Sequence, residues 1–213
     1  MSETDETLAF YKGQLRALVW SGFFNEDDFQ LQLEDLSYDE QAAPHLDTLR
    51  QYGEALMEEK READSGWPVR TDWDRLAQAF EALERDAILA THNSGYTTSD
   101  AHHDAWEIIR GDPAGQWRGF AYYHEQDVER TVDGMPLLLG FDAVADGEDA
   151  KRAVGEAVAA GLRDAGFTVD WNGDPETRMG VTDIDWKKRT NWASRRTTPA
   201  DKGGGFLRRL FGR

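Results

Sequence analysis

The sequence contains no cysteine, which removes disulfide staples, thiol nucleophiles and thiolate-bound zinc together. It has no apolar stretch near the roughly 20 residues that a membrane-spanning helix needs. Its opening, MSETDETLAF, is acidic where a secretory leader would be basic and then apolar. The expectation is a cytoplasmic protein. Basic residues are scarce: 24 Lys and Arg stand against 41 Asp and Glu, for a formal net charge of −17. The shortage is uneven. Residues 1–186 hold 15 basic and 40 acidic side chains, whereas residues 187–213 hold nine basic and one acidic. Such an acidic body repels nucleic-acid phosphates and suits a basic protein partner.

Recognisable chemical signatures are also missing. No glycine-rich phosphate loop follows a strand-like run, no HExxH or regular His-x-His occurs, and no internal repeat is visible. The residues therefore name no cofactor and no metal site. What is present is enough for a core without staples: 39% of residues are hydrophobic, with eight Trp, ten Phe and six Tyr.

The first 66 residues read as helices. Leu8, Tyr11, Leu15, Leu18 and Val19 fall on one helical stripe. Asn25 is placed to cap a second helix carrying Phe29, Leu33 and Leu36, and a third begins near Pro44. From Thr71 the pattern alternates. Helices are expected from Thr71 or Asp72, over 101–110, 126–132 and 149–165, with strands at 87–91, 118–123, 135–144 and 167–171. A last strand should turn Thr182, Ile184 and Trp186 inward. The reading is an α/β (α+β mixed) fold: a mixed, largely parallel sheet with packed helices, preceded by a helical section. Residues 1–186 are expected to form one unit (1–66 helical, 67–186 α/β), and 187–213 a basic flexible tail.

Three stretches carry a resemblance: VWSGFFNEDD (19–28), WPVRTDWDRLAQAFEALERDAILATHNSGYTTSD (67–100) and YYHEQDVERTVDGMPLLLGF (122–141). They resemble a bacterial family carrying a domain of unknown function, found mainly in high-GC genomes. The likeness spans roughly residues 15–186 and implies that both sections form one unit. Departures are Trp73, where cysteine is common in that family, and the His102-His103 pair. The resemblance implies no activity, cofactor or site residue.

Two polar clusters end strand-like runs, the place where α/β folds put ligands. In the first, Tyr96, Thr97, Thr98, Ser99 and Asp100 are candidates for a ligand-binding loop; Ser99 or Asp100 alone suffices to cap the next helix, which leaves His92, Asn93, Tyr96 and two hydroxyls without a role. Asp100 and Asp104 oppose an anion there, so a neutral or cationic ligand, or a divalent metal, fits better. In the second cluster His124 and Asp127 stand three residues apart. If parallel strands bring both clusters to one rim, His92, Asn93, His124 and Asp127 could form an acid–base or metal-assisted site. His102 reads as a partly buried structural histidine and His103 as exposed. In the tail, Phe206, Leu207, Leu210 and Phe211 lie on one helical arc and Arg208 and Arg209 on the other.

Three functions follow in order. The first is a binding or interaction protein, inhibitor- or immunity-like, whose acidic face meets a basic partner. The alternatives are a small hydrolytic enzyme at the strand-end rim, and a peripheral membrane or assembly protein using the tail.

Overall fold

The computed structural model describes residues 3–193, so the tail segment 206–211 lies outside the described residues. The chain divides into two units, one of residues up to Pro68 together with those from Lys187, the other Val69–Trp186. In the first, α1 (Glu3–Ser21) buries Tyr11, Leu15, Leu18 and Val19, the expected stripe, and packs mainly on α3 (Leu46–Gly66). Between them α2 (Glu26–Ser37) adds Phe29, Leu33 and Leu36 to the same core. Asn25 caps α2: its side chain accepts from the Asp28 amide at 3.2 Å, and the Asp28 carboxylate accepts from the Asn25 amide at 2.9 Å. Such a cap contributes about 1 kcal/mol. Pro44 lies in a short 3-10 turn, Ala43–His45, that leads into α3.

The first described residues of the expected tail are built into this helical unit. Lys60 of α3 is fully buried, ion-paired with Asp64, 2.8 Å from the Lys188 carbonyl and 4.3 Å from the centre of the Trp67 ring. The other Asp64 oxygen accepts from the Thr190 amide at 3.1 Å and the Trp192 indole at 3.2 Å. Arg189 donates to the carbonyls of Trp67 and Pro68. Gly22, at φ +75°, is required here, because a Cβ would lie 2.3 Å from the Lys188 carbonyl oxygen. Lys188 and Arg189 therefore serve packing within the helical unit.

The second unit starts with α4 (Asp72–Arg85), capped by Thr71, and continues β1 (Ile88–Thr91), α5 (Thr98–Gly111), β2 (Gly119–Tyr122) and α6 (Glu125–Val132). It closes with β3 (Leu137–Ala143), α7 (Glu148–Asp164), β4 (Val169–Asp170) and β5 (Met179–Val181). Among the described residues there are thus seven α-helices and one five-stranded mixed sheet, ordered β1-β2-β3-β5-β4. The apolar run 137–143 is central, as its two-sided pattern required.

Parallel pairing is confined to β1 with β2; the other three pairings are antiparallel. The reason lies in α6. Its eight residues span about 12 Å, and the chain uses them to turn at one end of the sheet rather than to cross back over it. The last strand also lies upstream of its expected position, at 179–181 instead of 182–186. All three of its residues are buried, so it shows no alternation. Asp183, within the expected strand, binds the Thr168 amide and hydroxyl at 3.0 and 2.9 Å and leaves the ladder. Among the described residues no helix is long and apolar enough to cross a membrane.

Candidate functional site

Thr91 of β1 stands beside Tyr122 of β2 in parallel register, so both strands deliver their following loops to one rim. The loops are stitched there: the Ser94 amide donates to the Tyr123 carbonyl at 3.0 Å, and the Glu125 amide donates to the Gly95 carbonyl at 3.1 Å. The two polar clusters therefore share an edge, but their imidazoles meet different partners. His92 stacks on Phe80 at 4.5 Å, and its Nδ1 lies 2.8 Å from the Tyr123 hydroxyl. His124 is 1% exposed, with Nε2 at 3.1 Å from Thr98 Oγ1, 3.1 Å from Asp127 and 3.3 Å from Arg178.

The His124–Asp127 contact expected from their spacing thus forms, inside a larger network. Asp127 is fully buried and ion-paired with Arg178 and, at 2.8 Å, with Arg130, and it accepts from the His124 amide at 3.1 Å. Arg178 also donates to the Leu138 carbonyl at 2.6 Å, so the cluster ties α6 to β3 and to the start of β5. Burial pushes the His124 pKa down to about 4, with Arg178 and Arg130 acting in the same direction and Asp127 opposing. A guanidinium only donates. Nε2 thus faces a donor, the Arg178 guanidinium, and an acceptor, the Asp127 carboxylate. His124 is neutral at physiological pH and enclosed by groups that fix its orientation.

The loop residues divide between capping and contact. Thr97, rather than Ser99 or Asp100, caps α5: its hydroxyl accepts from the Asp100 amide at 3.3 Å, and Asp100 accepts from the Thr97 amide at 2.9 Å. Thr98 contacts His124, Ser99 is exposed, and Tyr96 is half-buried, its hydroxyl pKa raised mainly by burial. Asn93 adopts φ +50°, a left-handed conformation that costs a non-glycine residue about 1 kcal/mol or more. Four buried atoms around this rim, Thr91 Oγ1, Asn93 Oδ1, His124 Nδ1 and Arg178 Nε, have no hydrogen-bond partner among the described residues.

An open cleft lies at the other end of the sheet. Because β2 and β3 are antiparallel, with Gly119 beside Ala143, the end of β3 emerges opposite the rim. There a cleft of about 260 Å³ is lined by Asp142, Asp146, Glu148, Glu176, Lys151 and Trp106, among others. Gly147, at φ +107°, lets the chain turn from β3 into α7 with its acids facing the opening. Lys151 pairs with Glu176 at 2.9 Å. Asp142 accepts from the Ala143 amide at 2.8 Å and meets His102 Nε2 at 3.0 Å, so His102 is a hydrogen-bonded residue beside the cleft. Trp106 packs edge-on against Phe120 and carries the Arg110 guanidinium 5.5 Å from its ring centre. His103 is exposed and paired with Glu107.

Sequence reasoning missed this cleft. Its acids come from a strand end, two loops and a helix start, and no spacing rule joins Asp142 to Glu176. The available signal was DAVADGED (142–149), which places four acids and a turn glycine after a buried strand.

The comparisons with known proteins bear on kinship and carry no activity. A family model described as "Domain of unknown function (DUF6891)" matches residues 4–190. No curated protein matches the chain, and no solved structure does. The match covers the three quoted stretches and runs through residues of both units, and the protein belongs to the DUF6891 family.

Proposed function

We propose that this protein is a binding protein, inhibitor- or immunity-like, that holds a basic protein partner through the acidic cleft at the end of β3. The observation that carries the reading is the cleft itself: about 260 Å³ of open concavity walled by four carboxylates, one paired lysine and a tryptophan. With Lys151 matched to Glu176, the charges of Asp142, Asp146 and Glu148 have no Lys or Arg partner among the described residues and are left to attract a cation. Among the described residues no three His, Asp or Glu side chains converge to hold a metal ion. Carboxylates spread along a groove suit several cationic side chains on one partner better than a single ion. The tryptophan, which already carries the Arg110 guanidinium, adds aromatic surface beside the carboxylates. No tryptophan is fully exposed, which favours a concave contact over a flat aromatic patch. The acidity of the whole body, 40 acids to 15 bases over residues 1–186, steers a basic partner toward it.

The rim offers less to the enzymatic alternative. His124 is neutral and enclosed, and its carboxylate partner is held by two arginines.

The test is calorimetric titration with an arginine hexapeptide amide at low salt. Each exposed charge pair contributes about 0.2–1 kcal/mol, so D146N/E148Q is expected to weaken binding about fivefold. E54Q/E59Q removes the same formal charge from exposed positions on α3 and serves as the control. Equal losses in the two variants would mean that net charge alone attracts the peptide, and the cleft reading would fail.

A further inference from the structure

The cleft carries its own titratable neighbour. His102 projects from α5 with its side chain 40% exposed, its Nε2 3.0 Å from Asp142 Oδ2 and its ring edge-on to Phe120 at 5.1 Å. The opposite Asp142 oxygen is already engaged by the Ala143 amide. A neutral His102 donates one hydrogen bond to Asp142 and leaves its full negative charge facing the cleft. A protonated His102 makes the same contact and cancels that charge. The other charged groups at this end are Asp146 and Glu148, which have no ion-pair partner among the described residues, the Lys151–Glu176 pair, Arg110 over the Trp106 ring, and the Arg118–Asp86 pair beside Val144. On its own helix, His103 is paired with Glu107 and is not a contact of Asp142.

We infer that His102 is a proton-sensitive regulator of the cleft, which holds its cationic partner at neutral pH and loosens its grip when the His102–Asp142 pair takes up a proton. The inference rests on the cleft reading above and adds its control. The uncompensated charge at the site falls from three carboxylates to two on protonation. One unit charge about 8 Å from a bound cation, at an effective dielectric near 40, changes affinity about fivefold. Linkage makes the effect reciprocal, so a bound cation must hold His102 deprotonated to a lower pH.

The experiment titrates the arginine hexapeptide amide into the full chain at pH 7.5 and pH 5.5, with His102→Asn, His102→Gln and His103→Gln alongside. The expected result is binding about fivefold tighter at pH 7.5 for the wild type and for H103Q, and nearly equal binding at the two pH values for both His102 variants. Proton NMR of the His102 ring adds a second readout, in which the peptide shifts its titration midpoint to lower pH. A wild-type ratio retained in H102N and H102Q overturns the inference, as does binding that is equal at both pH values in the wild type; in either case the cleft remains a binding site. Absence of peptide binding at pH 7.5 overturns both readings.

Discussion

His124 shows what burial does to a single ionisable side chain. In the unfolded chain its imidazole titrates near 6.5, whereas in the folded protein burial holds the pKa near 4. Between those values the unfolded state binds a proton that the folded state refuses. Stability from this residue is therefore complete above about pH 6.5 and is lost as pH falls toward 4. With the side chain only 2% exposed, solvent screening takes little away, and the loss by pH 4.5 is about 2 kcal/mol. Urea unfolding of the wild type and of His124→Gln at pH 7 and pH 4.5 measures it. The variant should lose about 2 kcal/mol less between the two conditions, and equal losses would show that the imidazole is not held neutral.

At the scale of elements, helix contacts depend on one glycine. Gly53 lies in the middle of α3 opposite Phe29 of α2, and a Cβ there would stand 2.2 Å from the Phe29 ring. Alanine raises helix propensity by about 1 kcal/mol, but overpacking a filled core costs about 1–3 kcal/mol. The clash wins. Gly53→Ala should lower stability by about 1 kcal/mol net in urea unfolding, and adding Phe29→Leu should recover part of it.

The same scale shows what could be read from sequence. The stripes of α1 and α2 and the cap Asn25 were legible, and the start of α4 was narrowed to Thr71 or Asp72, because each depends on neighbours within one or two turns. Strand direction was not. Whether β3 runs with or against β2 depends on which end of the sheet α6 reaches, and residue spacing does not encode that. The rim was legible as a meeting of two loops, since β1 and β2 are parallel. That Arg178, 51 residues beyond Asp127, would seal it was not.

For the molecule as a whole, the governing quantity is charge. A formal net charge of −17 makes the folded state repel itself at low ionic strength. At 10 mM salt the screening length is about 30 Å, and at 0.15 M about 8 Å. The melting temperature should rise by a few degrees between these conditions, measured by differential scanning fluorimetry. A fall would show that specific ion pairs outweigh the repulsion.

The helical unit draws on both ends of the described chain, α1 to α3 and the segment from Lys187, while the α/β unit is continuous from Val69 to Trp186. During synthesis on a ribosome, every strand of the sheet exists before Lys188 or Trp192 has been made. The α/β unit is thus free to fold as it emerges. Lys60 and Asp64 must wait, exposed, for more than a hundred further residues before their partners arrive.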